Sequence, residues 1–120
     1  MDQNVVIGAI LLGGLAVFGY ARMFISGRNT RRLKEVLPKA MIIDVRNASE
    51  FKAGHYPGAV NIPVDKIAKS TGRLGDKASA KIVYCESGAR ARQAARMLRA
   101  MGFSSVHIGG SRTRLEKLAE

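Results

Sequence analysis

The sequence predicts an α/β domain that has a mainly parallel β-sheet with helices on both faces and is preceded by one transmembrane helix. Two observations predict the domain. Short runs rich in β-branched residues alternate with helical patterns, and these runs are almost continuously apolar, as strands covered on both faces are. A third observation, a long uncharged segment near the start of the chain, predicts the membrane helix.

Composition narrows the range of functions. The 120 residues, 47% hydrophobic and 24% charged, suffice for one globular domain. The only cysteine, Cys85, excludes an internal disulfide and a cysteine-rich zinc site, and no metal-ligand spacing occurs elsewhere. We therefore expect no metal and no cofactor. The net charge of +11 predicts anionic partners, which could be nucleic acid, lipid headgroups or small anions.

The uncharged segment covers residues 5–21 and continues, after Arg22, with the apolar residues 23–25. Its length approaches the roughly 20 apolar residues that span a bilayer, and Arg22 can extend to the headgroups. We predict a transmembrane anchor over residues 1–25 that attaches the chain to a membrane through residues 5–25. The competing interpretations are a buried core helix and a secretory signal peptide, but no basic residue precedes the segment and no A-x-A cleavage site follows it.

Basic residues dominate after the uncharged segment, where Arg22, Arg28, Arg31, Arg32 and Lys34 are accompanied by a single acid, Glu35. The positive-inside rule then places the domain, residues 26–120, in the cytoplasm and the N-terminus outside. We expect a single-pass protein of a bacterial inner membrane. Residues 26–32 are polar and predict a juxtamembrane linker. A reducing cytoplasm suits an unpaired reactive thiol.

The first elements of the domain follow from local patterns. Residues 32–37 predict a short helix that the next residue, a proline, ends. The β-branched run at residues 41–45 predicts a buried strand. Asn47 and Glu50 have the spacing of a capping box, which predicts a helix over residues 48–53.

The later elements continue the alternation. Strands are predicted at residues 59–63, 81–85 and 105–110, and helices at residues 64–70 and 89–101. Thr113 and Glu116 predict the cap of a final helix. The helix over residues 89–101 has an apolar face and a face with Arg92, Arg96 and Arg99. Because no nucleic-acid motif or aromatic platform accompanies these arginines, we interpret them as a solvated face and expect no nucleic-acid partner.

Cys85 ends a predicted strand and precedes a small loop and a helix. Ligands of parallel sheets bind at the carboxyl ends of strands, and the unpaired N–H groups of a helix N-terminus favour a thiolate. Arg90 adds a cation to the same loop. The pattern indicates a reactive thiol, and the competing interpretation is an ordinary buried cysteine at the end of a core strand.

Two segments together resemble a single-domain rhodanese, a sulfurtransferase of the thiosulfate:cyanide type. They are residues 42–63 (IIDVRNASEFKAGHYPGAVNIP) and residues 82–110 (IVYCESGARARQAARMLRAMGFSSVHIGG). The resemblance covers residues 30–118, nearly all of the predicted soluble part. It implies a five-stranded parallel sheet and a persulfide mechanism, in which Cys85 takes the outer sulfur of thiosulfate and passes it to an acceptor thiol or cyanide.

The resemblance also implies roles for individual residues. Cys85 would be the nucleophile and sulfur carrier, Arg90 would attract the dianionic donor, and Asp44 with Arg46 would be an orienting ion pair. The persulfide would lie among the backbone N–H groups of Glu86, Ser87, Gly88, Ala89 and Arg90. The implied partners are a small anionic sulfur donor and an external thiol or protein acceptor, because the chain has no second cysteine.

Three departures from the family pattern concern the site. Ala91 replaces a frequent serine, Glu86 is acidic where thiosulfate-using relatives often have a basic or neutral residue, and the tryptophan often found after the final Gly-Gly is missing. Phosphatases and arsenate reductases share the fold but need an arginine where this chain has Ala91. The sequence therefore predicts a sulfurtransferase, and the alternative is a membrane-tethered sulfur-relay or interaction module without free-substrate turnover.

Overall fold

The structure is a computed structural model that describes residues 3–120, apart from the side chains of residues 5–12 and 20–26. The chain divides into two compact units, Met1–Arg32 and Leu33–Glu120. The first helix, α1, covers Gln3–Val36. The predicted linker, residues 26–32, is therefore helical. No proline interrupts this stretch, because the first proline of the chain, Pro38, follows the end of α1.

The predicted transmembrane anchor is not confirmed. Most of its apolar segment lies outside the side chains that the structure describes. Among the residues that are described, no helical stretch combines the length and the hydropathy that a bilayer crossing requires. Within the described part of α1, Leu15, Val17 and Phe18 are exposed.

A parallel β-sheet forms the centre of the second unit, with the strand order β2-β1-β3-β4. Its strands are β1 (Met41–Asp44), β2 (Val60–Asn61), β3 (Lys81–Cys85) and β4 (Val106–Ser111). Each strand lies where the residue pattern predicts one. The five strands implied by the resemblance are wrong for residues 3–120, which form four, because the segment before β1 is helical.

Helices cover the sheet as α2 (Ala48–Ala53), α3 (Ala89–Ala100) and α4 (Arg112–Leu118). The predicted helix over residues 64–70 is a 3₁₀ helix, Val64–Lys69, and a second 3₁₀ helix, Thr71–Arg73, follows it. Thr71 and Gly72 are poor helix formers, so the segment makes only short 3₁₀ turns. The cap of α4 is Ser111, whose hydroxyl accepts from the Arg114 N–H at 3.2 Å, and not Thr113.

The core has one apolar cluster on each face of the sheet. Alternate residues of β3 divide between them, so Val83 and Cys85 pack under the alanine-rich face of α3, whereas Ile82 and Tyr84 pack with Leu115 of α4. Asp44 pairs in register with Tyr84, and Cys85 with Ser111. The parallel strands thereby bring the chemically active residues to one edge of the sheet.

Candidate active site around Cys85

Cys85 is the last residue of β3, and it is fully buried under the N-terminus of α3. Its Sγ atom accepts hydrogen bonds from two backbone N–H groups, that of Gly88 at 2.9 Å and that of Ala91 at 3.4 Å. Both donors belong to the start of α3, where the N–H groups have no partner inside the helix. The arrangement favours a negatively charged sulfur, either a thiolate or a persulfide.

The N–H groups of Gly88 and Ala91 form a cradle around the sulfur, and the backbone conformation of Gly88 makes this cradle possible. Gly88 is the N-cap of α3 and has φ = 98°, a left-handed conformation that glycine adopts without strain. The turn brings the loop back over the strand end, so the Gly88 N–H reaches the sulfur. Among the described hydrogen bonds, none joins Sγ to the N–H groups of Glu86, Ser87, Ala89 or Arg90, whereas Ala91, which the predicted cradle did not include, provides one.

Arg90 forms an ion pair with Glu50, and among the described hydrogen bonds none joins its guanidinium to the sulfur. Its guanidinium donates to the Glu50 carboxylate at 2.7 and 3.1 Å. Glu50 Oε1 also accepts from the Asn47 N–H at 3.1 Å, as the predicted capping box requires. The bonds from Arg90 and from the Asn47 N–H lower the pKa of Glu50 from 4.5 to about 2. The hydrogen bond to Glu50 in turn raises the pKa of Arg90.

Asp44 and Arg46 form a buried ion pair beside the cysteine strand, with exposed fractions of 0% and 5%. Arg46 Nε lies 3.0 and 3.1 Å from the two Asp44 oxygens, and Arg46 Nη2 lies 2.7 Å from Oδ2. The hydrogen bonds from this guanidinium to Asp44 raise the pKa of Arg46. Arg46 also donates to the Gly54 carbonyl at 2.7 Å, so the pair connects β1 to the segment after α2.

Tyr84 completes this polar network. Its hydroxyl donates to Asp44 Oδ2 at 2.8 Å and accepts from the Tyr56 N–H at 2.9 Å. Burial raises the pKa of Tyr84 to about 12. Sequence patterns alone miss this role, because a tyrosine inside an apolar strand gives no sign that its hydroxyl bonds to a carboxylate. The network fixes the strand ends on which the Cys85 loop is built.

Glu86 follows Cys85 directly, and its side chain is 72% exposed. Its Oε2 atom lies 3.5 Å from Arg46 Nη1. An exposed carboxylate therefore follows Cys85 directly and adds negative charge beside the cysteine loop. Among the described residues, no group of three His, Cys, Asp or Glu side chains could hold a metal ion.

The sequence matches the rhodanese-like domain over residues 29–110. The tRNA uridine(34) hydroxylases of Salmonella arizonae and Salmonella newport are 38% identical over 79 residues, which are 61% of this chain and 23% of those proteins. The chain thus spans less than a quarter of the length of these curated relatives.

Two solved structures support the same likeness. A rhodanese with anions from E. coli has 30% identity and a TM-score of 0.60, over 62% of this chain and 89% of its own. The human single-domain sulfurtransferase TSTD1 has 28% identity and a TM-score of 0.58, over 72% of this chain and 89% of its own.

Proposed function

The chain belongs to the rhodanese-like domain family of sulfurtransferases, and from this premise we propose that it transfers sulfane sulfur through a persulfide on Cys85. The observation that carries the proposal is the pair of N–H groups, from Gly88 and Ala91, that donate to Sγ. A persulfide has its negative charge on the outer sulfur, directly beyond this cradle. The two N–H dipoles would stabilise that charge without any metal or cofactor.

In the first step the Cys85 thiolate attacks the outer sulfur of thiosulfate or a similar donor. A bond forms between Sγ and that sulfur, the donor's S–S bond breaks, and its electron pair leaves with sulfite. In the second step an acceptor thiolate or cyanide attacks the outer sulfur of the persulfide, and the Cys85 thiolate leaves. Cys85 is the only cysteine in the sequence, so the acceptor has to be external.

Access to the sulfur favours a slender donor group. Cys85 is fully buried, whereas Glu86 and Ser87 beside it are exposed, so a donor or acceptor sulfur approaches past these two residues. The Glu86 carboxylate disfavours a dianion at this entrance. This observation supports the alternative function, a membrane-tethered sulfur-relay or interaction module without free-substrate turnover.

The tRNA uridine(34) hydroxylases share only the matched domain with this chain. We carry over to this protein the persulfide chemistry of that domain and not the hydroxylation in the name of those relatives, because most of their length lies outside the match. The loop after Cys85 also argues against phosphate ester hydrolysis. Ala91 occupies the position where a phosphate-binding arginine would be needed, and its backbone N–H donates a hydrogen bond to the sulfur.

Intact-mass measurement tests the sulfurtransferase proposal. Full-length protein incubated with thiosulfate should gain the mass of one sulfur atom, and cyanide should then remove it as thiocyanate. Cys85→Ser should gain nothing under the same conditions. Absence of the adduct in wild-type protein, or its persistence in Cys85→Ser, contradicts the proposal. Loading by thiosulfate followed by release only to a protein thiol identifies the relay module.

We also propose that residues 5–25 attach the chain to a membrane and that the domain faces the cytoplasm. The support is the uncharged segment over residues 5–21 and the basic residues that follow it. Buried Cys85 is a poor reporter of topology, so Glu120→Cys in a Cys85→Ser background provides an exposed thiol. An impermeant maleimide should label it only after the cells are permeabilised. Labelling in intact cells, or recovery of the chain in the soluble fraction, contradicts the proposal.

A further inference from the structure

Several arginines surround the cysteine loop, and three of them are paired with carboxylates. Arg46 lies 2.7 Å from Asp44, Arg90 lies 2.7 Å from Glu50, and Arg112 lies 2.6 Å from Glu116. Within residues 3–120 as described, the Arg92 side chain has neither an ion-pair nor a hydrogen-bond partner. Its charge is therefore available to an anion that approaches Cys85.

Arg92 lies beside the cradle and not on the far surface of α3. A Cβ atom placed on Gly88 would be 3.3 Å from Arg92 Nη1, so this nitrogen faces the Gly88 Cα. Gly88 is the residue whose N–H contacts Sγ. Arg99, by contrast, donates to the Val106 carbonyl at 2.8 Å, close to the other end of α3. The stripe of arginines that the sequence predicts as one solvated face is thus divided in the structure.

The geometry of sulfur transfer indicates a role for the Arg92 guanidinium. Displacement at sulfur requires the attacking Sγ, the transferred sulfur and the leaving group to be nearly in line. The sulfonate end of thiosulfate therefore points away from Sγ and out of the cradle. The N–H groups of Gly88 and Ala91 contact the cysteine side of the reacting centre, so they do not reach the sulfonate. A cation at the rim is needed there, because negative charge on the sulfonate grows as sulfite leaves.

We propose that Arg92, and not Arg90, binds the sulfonate group of the donor and stabilises the departing sulfite. In this step the Cys85 thiolate forms a bond to the outer sulfur, and the S–S bond of thiosulfate breaks. The electron pair leaves on sulfite next to the Arg92 guanidinium. Arg90 holds the start of α3 to α2 through Glu50. This inference rests on the proposed sulfurtransferase function.

Steady-state kinetics with thiosulfate on the full-length protein test the inference. Arg92→Gln should raise KM for thiosulfate and lower kcat/KM roughly tenfold, as expected for the loss of one charge-assisted contact at a partly solvated site. Arg92→Lys should recover part of the loss. Arg96→Gln is the matched control, because it removes the same charge one turn further along the exposed face of α3. It should leave KM within about twofold of the wild-type value.

A neutral donor separates charge recognition from a structural effect. With an organic trisulfide, which has no sulfonate, the Cys85 thiolate attacks a terminal sulfur, the adjacent S–S bond breaks and a hydropersulfide anion leaves. Arg92→Gln should form this Cys85 adduct at the wild-type rate. Equal KM increases in Arg92→Gln and Arg96→Gln, or a larger increase in Arg90→Gln than in Arg92→Gln, would overturn the assignment of Arg92. Failure of the wild-type protein to load sulfur from any donor would instead overturn the sulfurtransferase function itself.

Discussion

Glu50 and Arg90, 40 positions apart in the sequence, form an ion pair with two hydrogen bonds, at 2.7 and 3.1 Å. The pair joins the first turn of α2 to the first turn of α3. Because Glu50 also accepts from the Asn47 N–H, one carboxylate fixes both the start of α2 and the position of the Arg90 side chain. The start of α3, which provides the cradle around the sulfur, is therefore held in place by α2, the helix between β1 and β2.

This ion pair predicts a specific loss of stability in acid. The pKa of Glu50 is lowered from 4.5 to about 2 in the folded protein, chiefly by Arg90. A lowered folded-state pKa means that the stabilisation is complete above pH 4.5 and is lost as the pH falls toward 2. Glu50→Gln should therefore have a lower Tm at pH 7 and a smaller further decrease between these two pH values than wild-type protein.

Thermal unfolding followed by circular dichroism across this pH range measures the effect. Arg90→Gln removes the main cause of the shift, so its curve should approach that of Glu50→Gln. Wild-type and Glu50→Gln curves that remain parallel between pH 4.5 and 2 would show that the ion pair does not contribute to stability.

The buried pair of Asp44 and Arg46 predicts a large penalty for removing one partner. In Arg46→Met the Asp44 carboxylate, 0% exposed, loses its counter-charge and keeps only the Tyr84 hydroxyl among its side-chain donors. The free energy of unfolding should fall by about 3–5 kcal/mol. Urea denaturation measures this change.

The double variant Asp44→Leu/Arg46→Met is the control for that experiment. Removing both charges leaves no isolated carboxylate, so the double variant should be more stable than Arg46→Met alone. If the double variant is the less stable of the two, the cost arises from lost packing and hydrogen bonds and not from an unpaired buried charge.

Replacing Gly88 should lower both stability and activity, and replacing a second glycine, Gly58, provides the control for the loss of stability. Gly88→Ala places a Cβ in a left-handed conformation and at 3.3 Å from Arg92 Nη1. Gly58→Ala has nearly the same backbone penalty, since Gly58 has φ = 82° and nothing within 4 Å of a Cβ. Each should lose about 1–2 kcal/mol of stability from the backbone. Only Gly88→Ala should also slow persulfide formation, measured by mass spectrometry under single-turnover conditions.

Equal sulfur-loading rates in Gly88→Ala and Gly58→Ala, each compared at a temperature where both are folded, would contradict this prediction. They would show that displacing the Gly88 N–H from the sulfur does not slow persulfide formation.

Replacing Gly109 should have a purely steric effect on the face of the sheet that packs against α4. A Cβ there would lie 2.9 Å from Ile82 Cγ2 and 3.0 Å from Leu115 Cδ2, both in the core. Gly109→Ala should lower the free energy of unfolding by about 1–3 kcal/mol through overpacking. Gly72→Ala, with nothing within 4 Å, should change it by no more than about 0.5 kcal/mol. Similar midpoints in urea for the two variants would disprove the overpacking.

The local sequence determined the order of strands and helices and the position of Cys85. Runs such as residues 41–45 and 81–85 are apolar and β-branched, and α3 has an apolar stripe, so each element follows from short-range periodicity. Where the residues have a weak helix propensity, the predictions from local patterns were less accurate. Residues 64–73 form 3₁₀ turns, and Ser111 replaces Thr113 as the cap of α4, because the end of β4 positions its hydroxyl.

The sequence by itself thus determined a parallel α/β domain with its only thiol at the carboxyl end of β3. Only the tertiary structure decided which groups contact one another: Glu50 with Arg90, Tyr84 with Asp44, and the Ala91 N–H with the sulfur. The physical reason is that strand and helix patterns depend on neighbours within a few residues. Side-chain pairing depends on strand order and register, which bring Asp44 and Tyr84, 40 residues apart, side by side.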